Sequence, residues 1–283
     1  MLGDPSRERG RPIGLLAGSG RFPVVFAEKT REMGLRVVCV GFRGIAAPEL
    51  RDLVERFYWC GLARLARMIA CFRREGVDTF VMAGKVQKMP VVGPPWALMT
   101  MLPDLRALRM WFGRRRDNRD DSILLNVVEE FERDGVRCAS ALDLCPELLV
   151  KPGVLTRRKP SAAEERDVEF GWDLAKEMGR LDVGQSVAVK NRAVLVVEAI
   201  EGTDRAILRA GELCPRGGFT VVKVAKPQQD MRFDVPTVGP STIETIRAAG
   251  GTVLAVEACK TILLDAAETV RLADRCGITI IAR

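Results

Sequence analysis

The stretch KVAKPQQDMRFDVPTVGPSTIETI, Lys223 to Ile246, gathers the residue types that handle phosphate. Lys223, Lys226 and Arg232 can neutralise an anion, the arginine through a planar fork of donors. Asp230 and Asp234 can hold a divalent cation or orient a water. Gly239 to Thr242 then opens a helix, whose first N–H groups favour an anion. Pro227, Pro236, Pro240 and Gly239 suit neither a helix interior nor a central strand, so this chemistry sits on a long loop. Such a loop inside a compact domain is more often functional than filler. A solvated loop with incidental salt bridges is the competing reading.

Smaller groups of the same character lie elsewhere. Gly18-Ser19-Gly20, in AGSGRFP, follows an aliphatic run and lacks the full G-x-G-x-x-G spacing of a dinucleotide turn. Ala83-Gly84-Lys85-Val86 follows a second buried run and offers a phosphate contact or an ordinary turn with a surface lysine. Asp120 and Asp121 stand where a helix begins, so capping accounts for at least one of them. Glu201-Gly202-Thr203-Asp204 brings two carboxylates and a hydroxyl to another helix start, a spacing that suits capping or a metal and phosphate site.

These residues need elements to position them. Pro12 to Ala17 reads as a strand, Phe22 to Met33 as a helix and Leu35 to Gly41 as a strand, the opening of a doubly wound α/β domain. In such folds ligands sit outside the carboxyl ends of the strands, where the Gly18–Gly20 turn would lie. A helix over Gly61–Glu75, a strand over Asp78–Met82, an amphipathic helix over Ser122–Asp134 and a closing segment from Val136 complete this half. Residues 150–163, VKPGVLTRRKPSAA, have the composition of a linker, with Gly153 the place to look for a hinge. Beyond it come a helix over Glu164–Arg180, the turn LDVGQ, and a hairpin of Ser186–Val189 and Ala193–Glu198 about Lys190-Asn191-Arg192. A short helix and the phosphate-type loop follow. The helix Ile243–Ala248, the strand Thr252–Glu257, the helix Ala266–Cys276 and the strand Ile278–Ile281 close the order. The expected division is a lead-in over 1–11, domains over 12–149 and 164–283, and the linker between them.

Composition narrows the chemistry. The 283 residues contain no histidine, which excludes a Ser-His-Asp or Cys-His mechanism and any imidazole-bound zinc. Carboxylates, lysines, thiols or an oxygen-bound hard metal must serve instead. The eight cysteines form no C-x-x-C pair and read as reduced, apolar thiols. A net charge of +7 suits an anionic partner. Met1–Arg11 lacks the apolar core of a signal peptide and no apolar run is long enough to span a bilayer, so the expected location is cytoplasmic, at most peripheral to the inner membrane. Met89–Phe112, rich in Met, Leu and Trp and followed by Arg114–Arg116, suits core helices or a surface for lipid chains.

In order along the chain, IGLLAGSGRFP, the AGKV turn, GRRRDNRDDSILLNVVEEFE, GRLDVGQSVAV, VEAIEGTD and KVAKPQQDMRFDVPTVGPSTI resemble the UDP-2,3-diacylglucosamine pyrophosphatases of lipid A synthesis, of the two-domain type unrelated to the metallophosphoesterases. The likeness runs from about Ile13 onward. Ser19 stands where a third glycine is common and Lys85 where an asparagine can stand. The resemblance implies an α/β protein with an N-terminal Rossmann-like parallel-sheet domain and a smaller C-terminal α/β domain, with the ligand in the interdomain cleft. It implies magnesium-dependent hydrolysis of UDP-2,3-diacylglucosamine to UMP and 2,3-diacylglucosamine 1-phosphate, water attacking the glucosamine-side phosphorus.

The family's essential aspartate falls on Asp234. Around it, Lys223, Lys226 and Arg232 are expected to stabilise leaving UMP, and Asp204, Asp120 and Asp121 are further candidates for the metal. Gly18, Ser19, Gly20, Gly84, Lys85, Gln185, Thr203 and Thr242 are the expected substrate contacts. The partner the resemblance implies is a lipid-linked UDP-sugar, with transient contact to the membrane surface and no nucleic acid expected; a homodimer is open.

Three competitors fit parts of the sequence. A dinucleotide oxidoreductase lacks an acid at the end of the second strand, where Val40-Gly41-Phe42 stands. For a nucleic-acid binder, the arginines of Arg114–Arg119 are interleaved with Asp117, Asp120 and Asp121, with no stacking platform. A non-catalytic carrier of a lipid-linked nucleotide would share the cleft without turnover.

Overall fold

The computed structural model describes residues 10–86, 103–113 and 120–283, apart from the side chains of 111–113 and 120–122. Most of the lead-in, most of Met89–Phe112, Arg114–Arg116, Asp117 and the side chains of Asp120 and Asp121 lie outside the described residues. The chain forms two compact units, Met1–Pro146 and Glu147–Arg283.

The first unit is built on a five-stranded sheet. Its strands are β1 (Ile13–Ala17), β2 (Val37–Phe42), β3 (Arg56–Cys60), β4 (Thr79–Ala83) and β5 (Arg137–Ala139), in the order β3-β2-β1-β4-β5. Every neighbouring pair is parallel. The order reverses at β1, which makes the gap between β1 and β4 the switch point of a doubly wound sheet. β1, β2 and β4 are buried along their whole length, as central parallel strands must be.

The crossovers carry α1 (Phe22–Glu32), α2 (Leu50–Leu53), α3 (Leu65–Arg74), α4 (Leu105–Gly113) and α5 (Asp120–Arg133). Phe72 of α3, Phe80 of β4 and Phe131 of α5 are fully buried, and the last two rings stack with centroids 4.4 Å apart. Strand β3 and the short α2 fill the segment between β2 and α3. Arg56-Phe57-Tyr58-Trp59 alternates poorly because this edge strand is only half covered.

The second unit has a six-stranded mixed sheet, ordered β6-β13-β11-β9-β7-β8. Its members are β6 (Gly153–Val154), β7 (Ser186–Lys190), β8 (Ala193–Val197), β9 (Phe219–Lys223), β11 (Gly251–Val256) and β13 (Thr279–Ala282). β9, β11 and β13 are parallel, while β7 and β6 flank them antiparallel. Two short strands, β10 (Thr237–Val238) and β12 (Ile262–Leu263), pair by themselves. Helix α6 (Ala162–Arg180) packs on β7 and β9 through Val168 and Ala175. A second apolar layer joins α7 (Thr203–Leu213), α8 (Pro240–Ala249) and α9 (Ala266–Cys276) to the sheet through Ala206, Ile207, Ile243, Ile246 and Ala273.

The hairpin of β7 and β8 turns at Asn191 and Arg192, both with positive φ. Left-handed backbone is costly for such residues, and buried Asp167 of α6 offsets it by accepting both their N–H groups, at 2.9 and 2.6 Å. Residues 150–163 fold into this unit. Val154 pairs with Ile281, Leu155 N–H donates to the Ile280 carbonyl, and Arg158 bonds Glu164, Thr279 and the Thr252 carbonyl. The basic and proline content that suggests a linker belongs to an edge strand and a half-buried arginine.

Candidate active site

In the first unit the two glycine turns meet. Gly18 N–H donates to the Ala83 carbonyl at 2.8 Å, and Ser19 and Lys85 exchange backbone hydrogen bonds at 2.8 and 2.9 Å. Ser19 Oγ donates to the same Lys85 carbonyl at 2.7 Å. The glycines are required for this approach. A Cβ on Gly18 would lie 2.7 Å from the Lys85 oxygen; one on Gly84, whose φ is +91°, would lie 2.6 Å from the Ser19 oxygen. The N–H groups of Gly18 and Ser19 are thus committed to the protein. Gly20, Lys85 and Val86 are the exposed parts of these turns.

In the second unit the chemistry collects where β9 ends. Lys223, 3% exposed, donates from Nζ to Thr203 Oγ1 at 3.1 Å and to the Thr237 carbonyl at 3.2 Å. Thr203, at the start of α7, donates to Glu198 Oε1 at 2.9 Å. The other oxygen of Glu198, Oε2, is buried with no hydrogen-bond partner among the described residues. The loop then folds back over this edge around Gln229. The Gln229 amide donates to Asp234 Oδ2 at 2.6 Å and reaches Gln185 Oε1 at 3.4 Å, while its own oxygen accepts Lys226 N–H at 2.9 Å. Gln185 and Asp234, far apart in sequence, are brought together through this one side chain.

The cations of the loop already have partners. Lys226 Nζ bonds Asp182 at 2.6 Å, and Arg232 clasps Asp230 through Nε and Nη2. The Arg232 guanidinium holds the Asp230 carboxyl below the usual aspartate range, against the upward push of burial. A phosphate arriving here would have to share or displace those carboxylates. The base of the loop is pinned by Glu257, just past β11. Burial pushes its carboxyl up, but bonds from Lys176, Lys260 and Ala225 N–H outweigh that and leave it below the ordinary value.

Other expected residues have local duties. Thr242 Oγ1 accepts Gly239 N–H at 3.4 Å, inside the first turn of α8. Asp204 is exposed in the first turn of α7, where a helix start favours an acid. Glu201 is taken up by Arg209 and Ala199 N–H. Asp120 and Asp121 belong to the first unit, Asp204 and Asp234 to the second. Among the described residues no three carboxylates or thiols cluster.

A cavity of about 840 Å³ in the first unit, lined by Arg64, Asp104, Arg106, Arg109, Glu130 and Arg133 among others, includes none of the expected site residues. The sequence reading missed Glu198, Gln229, Asp182 and Glu257. Glu198 carries a readable signal, an acid at the end of a hairpin strand that should be apolar; Gln229 carries none.

Two α/β units, the first doubly wound, are thus the frame, with lysine, carboxylate and hydroxyl groups gathered at the strand ends of the second. Models for the LpxI N-terminal domain and the LpxI C-terminal domain match residues 12–148 and 151–281. The chain is 30% identical over 284 residues to the UDP-2,3-diacylglucosamine pyrophosphatase LpxI of Caulobacter vibrioides, covering 96% of this chain and 97% of that protein. This chain belongs to the LpxI family. A partial match, 31% identical over 143 residues, relates 47% of the chain to 38% of a DNA polymerase IV of Shewanella loihica. A crystal structure of the biotin carboxylase subunit of pyruvate carboxylase aligns with 72% of this chain and 41% of its own at 12% identity. Its TM-score is 0.27, too low to argue from.

Proposed function

We propose that this protein hydrolyses the pyrophosphate of UDP-2,3-diacylglucosamine to UMP and 2,3-diacylglucosamine 1-phosphate, a step of lipid A biosynthesis. The observation that carries the reading is the end-to-end similarity to the Caulobacter enzyme of that name. The chemistry of the β9 loop agrees with it. A water oxygen bonds to the glucosamine-side phosphorus and gives up a proton to solvent, the bridging P–O bond breaks, and its electron pair leaves with UMP. Asp234 orients the water, its carboxylate fixed by Gln229. Lys223, Lys226 and Arg232 offset the charge that develops on the leaving phosphate. Gln185 and Thr203 are the substrate contacts we assign in the second unit.

Magnesium fits the donor set, because it takes one or two carboxylates and completes its shell with phosphate oxygens and water. Asp234 would hold it, with Asp204, exposed at the start of α7, a further candidate carboxylate. When bound, the ion supplies positive charge to the phosphoryl oxygens.

Turnover with magnesium, with EDTA and with Asp234→Ala in heavy-oxygen water tests the reading. UMP release that requires both magnesium and Asp234, with the label in the sugar phosphate, is expected. Label in UMP would move the attack to the other phosphorus; binding without turnover would leave a carrier. We further propose that the lipid substrate brings the protein to the membrane surface through Met89–Phe112, a segment whose residues 89–102 lie outside the described residues. Trp96→Ser with Met99→Ser should reduce flotation with anionic liposomes, and equal flotation would remove this role. No helix among the described residues is long and apolar enough to cross a membrane.

A further inference from the structure

Glu198 and Lys223 are 7% and 3% exposed, so two ionisable groups lie deep at one edge of the second sheet. Ser186 pairs with Lys223 across β7 and β9, and Glu198 N–H donates to the Ser186 carbonyl at 2.9 Å. Lys223 and Ser186 are therefore neighbours on β9 and β7, with Glu198 beside them just past the end of β8, and Thr203 meets them from the start of α7. A hydroxyl has one proton and two lone pairs. Thr203 gives its proton to Glu198 at 2.9 Å and accepts from Lys223 at 3.1 Å. Ser186 Oγ, 3.5 Å away, is left to donate to the remaining lone pair. A carboxylate only accepts, so Glu198 sets the direction of the whole chain of bonds. With Oε2 bare and buried, its charge is costly unless an opposite charge stands close. The ammonium one hydroxyl away is that charge.

We propose that Glu198 is the positioning residue and counter-ion of Lys223, aiming the lysine through Thr203 and keeping it charged where the β9 loop begins. The consequence for turnover rests on the hydrolase reading above; the pairing itself does not. Other charged groups around this strand end have their own partners. Glu257 is bonded to Lys176 and Lys260, Lys226 to Asp182, and Glu201 to Arg209. Asp234 is held by Gln229, and Asp204 points into solvent from α7.

The test is an NMR titration of the Lys223 side chain in wild type, Glu198→Gln and Glu198→Asp, with the pH profile of turnover beside it. Glu198→Gln keeps the shape and removes the charge, so the Lys223 midpoint should fall by about one pH unit or more. The alkaline limb of kcat should fall with it while KM changes little. Glu198→Asp should stay near wild type. An unmoved midpoint in Glu198→Gln overturns the proposal, and so does an equal fall in Glu198→Asp, which would make the effect one of packing. Should Glu198→Gln not fold, Thr203→Ser and Thr203→Val decide, since serine keeps the relay and valine cuts it; equal midpoints would again overturn the proposal. A wild type that leaves UDP-2,3-diacylglucosamine intact sinks the proposed function, and the titration still decides the pairing.

Discussion

Gln229 gives Asp234 a fixed orientation. Its amide donates to one carboxylate oxygen at 2.6 Å, and its own oxygen is held by Lys226 N–H, so the amide cannot rotate freely. On the hydrolase reading proposed above, a residue that orients the aspartate holding the metal or water accounts for about 10–100-fold of activity when removed. Gln229→Ala is therefore expected to lower kcat by roughly that factor with a small change in unfolding midpoint, checked by steady-state kinetics beside urea denaturation. Gln229 was invisible in the sequence, because one glutamine of the Gln228-Gln229 pair looks like the other. Gln228 bonds the Gly179 carbonyl instead, and only the path of the loop decides which glutamine faces Asp234. Lys223 and Arg232 were legible as cations, yet their partners were not. A lysine after a strand looks equally able to meet phosphate or to lie buried under a threonine.

The turn before β7 shows how an element depends on one missing side chain. Gly184 lies so close to the end of β8 that a Cβ there would stand 2.0 Å from the Glu198 oxygen. Gly184→Ala must push apart the strand ends that carry Gln185, Ser186 and Glu198, at a cost of about 1–3 kcal/mol. Urea unfolding should show that loss, with a larger fall in activity than Gly184 contacts alone would suggest. The elements themselves were mostly readable, since aliphatic runs between turn residues mark β1, β2, β4, β9 and β11. Strand β6 was not. Only two residues long, in a Pro- and Arg-rich stretch, it exists because β13 presents an open edge to it.

Across the molecule, buried carboxylates make stability depend on acid. Glu257 and Glu164 both sit below their ordinary value of 4.5 in the folded protein: burial raises each, and the cationic and N–H partners overcome it. A depressed folded value means that the contribution is complete above the unfolded value near 4.5 and is lost as pH falls through the folded one. Wild type should lose stability progressively below about pH 4.5. Glu257→Gln should be less stable by roughly 2 kcal/mol at pH 7 and show a flatter acid limb in thermal melts at a series of pH values. A limb as steep as the wild type's would show that other carboxylates dominate.

The order of strands also sets a schedule for synthesis. The first unit can close its sheet once Ala139 has been made, because β5 is both its last strand and its edge. In the second unit β13 lies between β11 and β6, so residues 279–282 form an interior strand of a sheet whose opposite edge was made long before. On the ribosome, β6 must wait unpaired through the synthesis of more than a hundred residues, and the β9 loop cannot settle on a finished sheet until β13 has emerged. The nascent second unit is consequently the part of this chain that chaperones would meet open, and a stalled ribosome near codon 278 would expose it at its most adhesive.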